Sequence, residues 1–195
     1  MRKDDWRTRA TRGRRALTDR ERAQKNEQIC LNLSGLPELK GARTVFTYAA
    51  SWDEADPGML IRSLAEEGKT ICYPACGEAG HMDAVIPTPG DPLAWRTGPF
   101  GIREPDPAHS QPVDPAEIDV VLVPCVVFDR HGGRCGHGAG YYDRFLAKLS
   151  PEHPRILLAF DAQEADEVVM ERTDIPMDLA VTESGVYRFH PVHSC

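Results

Sequence analysis

A chain of 195 residues and 21.6 kDa suits one domain, or one domain with a small appendage, and excludes two full catalytic domains. With 41% hydrophobic and 27% charged residues it can bury a core and is neither disordered nor fibrous. The net charge of −7 hides an asymmetry: residues 1–25 hold ten Lys/Arg against four Asp/Glu, a net +6, which leaves −13 on the other 170 residues. No apolar run approaches the ~20 residues of a membrane span. The opening MRKDDWRTRATRGRR has no apolar stretch to serve as a signal peptide. A membrane partner and export are therefore not expected, and cysteines 30, 72, 76, 125, 135 and 195 read as reduced thiols of a cytoplasmic protein.

Residues 4–16 read as a basic helix. Transit peptides avoid acids and favour serine, whereas residues 1–25 hold Asp4, Asp5 and Asp19 and no serine. A nucleic-acid arm would interleave aromatics, and only Trp6 is present. Two readings remain for this helix: a solvated surface, or a segment folded back so that Lys3, Arg7 or their neighbours reach a bound phosphate. Thr18-Asp-Arg-Glu21 has the form of a capping box opening a second helix to about Leu33, closed by Gly35. Residues 43–50 (RTVFTYAA) read as a buried strand leaving the polar loop SWDEAD. A helix then starts at Asp56-Pro57 and stops at Gly68, and KTICYP makes a second strand ended by Pro74. Residues 75–118 are rich in Pro, Gly and Asp, with MDAVIP a short strand. DVVLVP at 119–124 is the most apolar strand, followed by a Gly-rich loop at 129–140, a helix over 141–149, a strand at 155–160 and a last one near 179–181. Strands alternating with helices predict an α/β fold: an open, mostly parallel sheet flanked by helices in three layers (α/β/α), with residues 1–34 as an N-terminal helical arm and 35–195 as the core. Ligands of such sheets sit at the carboxyl ends of the strands. That rule selects the loops SWDEAD, PACGEAGH and FDRHGGRCGHGAGYYD.

The third loop carries the strongest chemical signal. Gly132, Gly133, Gly136, Gly138 and Gly140 lie between an apolar strand and a helix, where exposed backbone N–H groups and the helix start suit phosphate oxygens. Arg134, His137 and Arg144 can add charge, and Asp143 is placed to hold a magnesium ion bridging phosphates to protein. The loop lacks the Gly-Lys-Ser/Thr ending of a Walker A motif and the spacing of a dinucleotide fingerprint. On these physical grounds a nucleotide site and a generic anion site or structural turn stand about level. Cys72-x-x-x-Cys76 near His81, and Cys135 near His137, lack a four-ligand zinc set at a standard spacing.

The run VPCVVFDRHGGRCGHGAGYYDRFL resembles the signature of 5-formyltetrahydrofolate cyclo-ligases, also called 5,10-methenyltetrahydrofolate synthetases, whose pattern is close to VPG-aliphatic-x-FD-xx-G-x-RLG-x-G-x-GYYD. The same order recurs in Lys3-x-x-Trp-Arg7, FTYAASWDEAD, Gly68-Lys69…Pro74, His81-Met82-Asp83, Phe100-Gly-Ile…Glu104-Pro105 and Pro176-Met-Asp178, so the resemblance covers nearly the whole chain. It implies an ATP- and Mg2+-dependent reaction in which the formyl oxygen of 5-formyltetrahydrofolate attacks the γ-phosphate. Ring closure by N10 and loss of phosphate then leave 5,10-methenyltetrahydrofolate and ADP.

Carried over by position, the resemblance implies that Lys3 and Arg7 approach the ATP phosphates, and Arg7 also the folate. Arg134, Gly136, His137, Gly138, Ala139, Gly140, Tyr141 and Tyr142 would cradle ATP. Asp143 would hold magnesium, with Asp178 as a second carboxylate. Ala49 and Glu54 would touch the folate, Glu54 at the pterin edge. His137, Gly138 and Tyr141 would lie where the substrates meet, and Arg134, His137 and Tyr141 are the expected catalytic residues. Glu54 and Asp178 also read as solvated loop acids, and the tyrosine pair as helix-start packing. Cys135 replaces the usual Leu and Cys125 the usual Gly, and Ala139 stands where some members carry Lys. The expected protein is a monomer with a small-molecule substrate and no nucleic-acid partner. Other readings are a paralogue acting on another small acid, a non-catalytic nucleotide or folate binder, and a nucleic-acid binder using the basic arm.

Overall fold

The computed structural model describes residues 3–98 and 101–189, the side chains of residues 3 and 4 excepted. The expected phosphate contact of Lys3 and the motif residue Phe100 therefore lie outside the described residues. The chain opens with helices α1 (Lys3–Arg15), α2 (Asp19–Ser34) and α3 (Pro37–Gly41). Thr18 caps α2 as its sequence predicts: the Glu21 amide donates to its hydroxyl, and its own amide donates to the Glu21 carboxylate at 2.9 Å. Next come β1 (Thr44–Phe46), α4 (Gly58–Glu66), β2 (Thr70–Cys76) and β3 (Met82–Pro87). The region read as loop folds into β4 (Trp95–Thr97), β5 (Arg103–Pro105) and β6 (Ser110–Val113). The remainder is β7 (Val120–Pro124), β8 (Val127–Phe128), β9 (Arg134–Cys135), α5 (Tyr141–Leu146), β10 (Arg155–Leu158), β11 (Leu179–Thr182) and β12 (Gly185–Arg188).

Eight strands form the main sheet in the order β12-β11-β10-β7-β1-β2-β3-β6. The five from β11 to β2 are parallel, while β12, β3 and β6 join antiparallel at the two edges. The unbroken VVLV of β7 is explained by burial on both faces. Val120 and Leu122 pack with Ile29, Leu39 and Leu64 under α2, α3 and α4, whereas Val121 and Val123 pack with Phe145 and Leu146 of α5. This is the three-layer arrangement, with the sheet between two helical layers. Because α4 returns to β2 on one side and α5 to β10 on the other, neighbouring β1 and β7 diverge at their carboxyl ends. There the sheet's topology reverses and opens a crevice.

Several boundaries differ from expectation, among them the strand read over 155–160, which ends at Leu158, and three have a clear physical reason. The strand read over 43–50 stops at Phe46, since the chain then turns into its loop, which the Tyr48 hydroxyl closes by donating to Ala55 O at 2.6 Å. Pro74 does not end β2 but pairs within it against Ala84, because β1 leaves β2 after Cys72 and no partner strand there needs the missing N–H. The helix over 141–149 ends at Leu146, and the chain tightens into two i+3 turns at Lys148 and Leu149.

Candidate active site

The loop after β7 is shaped by one buried carboxylate. Asp129, 2% exposed, accepts from the amides of His131 at 2.8 Å, Gly133 at 2.9 Å and Val168 at 2.7 Å. A Cβ on Gly133 would sit 2.5 Å from that carboxylate, and one on Gly132, at φ +90°, would meet the Met177 carbonyl at 2.8 Å, so both positions require glycine. The turn delivers Arg134 on β9, which pairs with β8. Arg134 is buried, and its guanidinium donates to Asp143 Oδ1 at 2.7 Å and lies 5.9 Å from the Tyr142 ring. The Ile175 amide donates to the same Oδ1 at 3.1 Å, so both contacts hold one oxygen of Asp143 and neither uses Oδ2. Residues 136–140 then pass to α5 through Gly138 and Gly140, at φ +96° and +71°.

Helix α1 folds back onto this loop. Trp6 and Ala10 pack against Val126, Val127 and Cys135, which is where the helix spends its apolar face. Arg7 Nε donates to Gly136 O at 2.9 Å, and its guanidinium lies where a Cβ on Gly138 would be 3.1 Å away.

The crevice between β1 and β7 is a cleft of about 1490 Å³. One wall is the Gly-rich loop, with Arg134, His137 and Tyr141 to Asp143; the opposite wall carries Tyr48, Ala49 and Glu54. Glu54 is buried, and its carboxylate accepts from the Ser51 amide at 2.9 Å. Burial first, and the Glu54 charge second, push the Tyr48 and Tyr142 hydroxyls well above their usual range, so both stay neutral donors. Burial likewise pushes the Cys125 thiol up to about 12, which keeps it unreactive. The loop after β2 closes a third side: the Tyr141 hydroxyl donates to Gly77 O at 3.1 Å, and Arg144 donates to Gly80 O at 3.0 Å and Ala139 O at 2.5 Å.

The 5-formyltetrahydrofolate cyclo-ligase family profile matches residues 1–183. The chain belongs to that family. It is 33% identical to the 5-formyltetrahydrofolate cyclo-ligase of Mycolicibacterium smegmatis over 92% of this chain and 93% of that protein. To the enzyme of the same name from Escherichia coli (strain K12) it is 28% identical over 90% and 97% of the two chains. The fold is similar to the solution structure of Aquifex aeolicus 5,10-methenyltetrahydrofolate synthetase, with TM-score 0.83, 31% identity and coverage of 100% of this chain and 96% of that one. Such family membership accords with the placement of the Gly-rich loop, Arg7, Ala49, Glu54 and Asp143 around one cleft.

One expectation for this cyclo-ligase family member needs correction. Asp178 is not brought to Asp143. It precedes β11 at the amino ends of the parallel strands, the opposite edge of the sheet from the cleft, and its carboxylate accepts from the Arg155 amide at 2.7 Å. Of the two acids in this segment it is Asp174, four residues earlier and next to the Ile175 amide that holds Asp143, that lines the cleft, its carboxylate accepting from the Glu171 amide at 2.8 Å. Two acids in Asp174-Ile-Pro-Met-Asp178 are indistinguishable in sequence, and the turn between them decides which one faces the site.

Burial raises the Asp178 pKa, outweighing the Arg155 amide bond. For a carboxylate raised in the folded state, the charged form costs stability above the folded pKa, and that cost vanishes below the unfolded value near ~4. Asp178→Asn is thus expected to raise the melting temperature at pH 7, with the gain disappearing as the pH falls toward 4, and to leave turnover within about twofold, since substitutions outside the site act on stability alone. Thermal scans at several pH values beside a steady-state assay check this.

Arg144, which in sequence can add charge for phosphates, donates to two backbone carbonyls and so clamps the Gly-rich loop at Ala139 to the loop after β2 at Gly80. Besides Asp174, the cleft residues that sequence reasoning did not assign to the site include Tyr48, Glu104, Arg14 and Asp53. Glu104, buried, takes both Nε and Nη2 of Arg96 and the Cys76 amide, and so ties the β4–β5 hairpin to β2. Arg14 sits in a helix of near-uniform basic character, where nothing local distinguishes a buried arginine from its solvated neighbours.

Proposed function

We propose that this protein catalyses the ATP-dependent cyclisation of 5-formyltetrahydrofolate to 5,10-methenyltetrahydrofolate, with release of ADP and phosphate. The observation that carries the reading is the single cleft in which the Gly-rich loop faces the wall of Tyr48, Ala49 and Glu54. A triphosphate fits the first wall. It offers the left-handed glycines Gly138 and Gly140, the Arg7 guanidinium and a buried Arg134 whose Nε has no hydrogen-bond partner among the described residues. Magnesium fits Asp143 and Asp174, hard oxygen donors few enough to leave the remaining positions to phosphates and water. When bound, MgATP supplies the activation that turns the formyl oxygen into a leaving group.

The chain's own residues then position and neutralise. Arg134 and Arg7 bring positive charge against the Gly-rich loop, the first fixed by Asp143 and the second by Gly136 O. Glu54, buried and oriented by Ser51, accepts from the pterin N–H edge, beside the neutral hydroxyl of Tyr142. His137 and Tyr141, on the Gly-rich wall, take the side of the cleft next to the formyl group. Three arginines of the arm are engaged within the chain, Arg7 with Gly136, Arg14 with Asp53 and Cys125, and Arg22 with the carbonyls of Arg14 and Leu17, while Arg9, Arg12, Arg15 and Arg20 stay exposed. The reading takes the enzyme to be a cytoplasmic monomer with no nucleic-acid partner.

The test mixes purified protein with 5-formyltetrahydrofolate and MgATP and follows the near-ultraviolet band of the methenyl product beside ADP release. Growth of both, dependent on ATP, is expected. ADP without the band would leave a nucleotide site acting on another small acid, and neither product from folded protein would leave a binding protein. Arg7→Ala is expected to raise KM for ATP about tenfold, the loss of one half-buried charge-assisted contact of ~1.4 kcal/mol, with a smaller effect on kcat. Unchanged KM for ATP would remove Arg7 from the phosphate site.

A further inference from the structure

One arginine outside the expected site connects all three parts of it. Arg14, on the last turn of α1, is 2% exposed. Its Nη2 donates to Asp53 Oδ2 at 3.1 Å and its Nη1 to Cys125 O at 3.3 Å. Asp53 is buried too. Its other oxygen accepts from the Ser51 hydroxyl at 3.1 Å, and the Ser51 amide in turn donates to Glu54 at 2.9 Å. Cys125 follows β7 directly, at the point where the chain departs for the Gly-rich loop. Seven residues before Arg14, on the same helix, Arg7 holds Gly136 O. A continuous path of hydrogen bonds thus runs from the helix that touches the phosphate loop, through one buried ion pair, to the loop that presents Glu54.

Stability alone is a weak reason to keep such a pair. Desolvating two charges costs as much as their attraction returns, and well-packed apolar side chains of the same volume do as well or better. Arg14 Nε, moreover, has no hydrogen-bond partner among the described residues, so this guanidinium is only partly repaid. What an apolar pair could not supply is directional: a fixed distance between α1 and the loop at 51–54. Arg15, 60% exposed, reaches the same Asp53 oxygen at 3.4 Å, but from the rim, where water competes.

We propose that Arg14 and Asp53 are positioning residues that make the binding of the two substrates interdependent: seating of the nucleotide against α1 and the Gly-rich loop draws the loop at 51–54 into its folate-binding geometry, and folate does the reverse. The proposal rests on the reading of the cleft as an ATP and folate site. Linkage requires the effect to be reciprocal, each ligand tightening the other by the same factor.

The experiment measures, by titration calorimetry, the affinity of the full-length protein for 5-formyltetrahydrofolate with and without a saturating non-hydrolysable ATP analogue and Mg2+, and then the converse. In the unaltered protein each ligand is expected to tighten the other by about tenfold, within the ordinary range of coupling between sites. In Arg14→Met the factor is expected to fall below about twofold, a loss of most of that coupling, although both ligands still bind. Should Arg14→Met fail to fold because Asp53 is left unpaired, the double variant Arg14→Met/Asp53→Leu removes both charges together, and the same loss is expected there. Coupling that persists in either folded variant overturns the proposal, as does an unaltered protein that binds both ligands independently. An unaltered protein that binds the nucleotide but not 5-formyltetrahydrofolate overturns the functional reading instead, and the two failures are distinct.

Discussion

Asp143→Asn is expected to lower kcat by about 10²–10³-fold, the loss of one preorganised charged group at the phosphates and their metal, worth ~3–4 kcal/mol. The fold should survive, because an amide oxygen still accepts from Arg134 and from the Ile175 amide, the two contacts now made to Oδ1. Asp143→Ala is a different experiment. It strips the partner from Arg134, whose side chain is only 3% exposed, and leaving a buried charge unpaired costs about 3–5 kcal/mol. At ~2–4 °C per kcal/mol for a chain of this size, the alanine variant should melt roughly 6–20 °C lower. Steady-state kinetics over a magnesium titration, beside thermal scans of both variants, separate the two roles. An asparagine variant with normal kcat would remove Asp143 from the metal site, and an alanine variant with normal stability would show that Arg134 finds another partner.

Asp129→Ala should be costly for stability. The carboxylate accepts from three N–H groups, those of His131 and Gly133 in its own turn and that of Val168 packed against it. Orphaned buried donors cost about 1–3 kcal/mol each, so a net loss of ~4 kcal/mol is expected after the turn relaxes. That corresponds to a fall in melting temperature of about 8–16 °C. Activity should fall below the loss of folded protein, because this turn delivers Arg134 to the cleft. Asp129→Asn keeps one oxygen for His131 and Gly133 but turns an amide against the Val168 N–H, for roughly half the cost. Calorimetric scans with activity measured well below the transition check both variants, and a melting temperature within two degrees for Asp129→Ala, about the shift expected of ~0.5–1 kcal/mol, would show that the turn is held by its glycines alone.

The parallel core of the sheet was legible because its strands carry their own signal. A run such as VVLV can only be buried on both faces, and helices alternating with such runs leave few topologies open. The capping box at Thr18 and the Gly-rich loop were legible for a similar reason: each is a local requirement, of a helix start or of positive φ, met by adjacent residues. By contrast β4, β5, β6 and β12 have three or four residues each, two of them containing proline. At that length no periodicity can be read, and strand formation depends on a neighbour that is already in place.

The site divides along the same line. Sequence by itself pointed to the Gly-rich loop as the proposed phosphate site, since strand, glycines, arginine and helix follow one another within twenty residues and their chemistry is contiguous. It also determined the family, because that motif and its flanking pieces keep their order along nearly the whole chain. Tertiary structure alone decided that Asp174 and not Asp178 lines the cleft, that Arg144 donates to backbone carbonyls, and that Arg14 and Asp53 are buried against each other. Each of these is a question of which way a side chain points once distant segments meet. A charge costs little in solvent and a great deal in the interior, so the role of Arg14 exists only when Asp53, 39 residues away, arrives to share its burial.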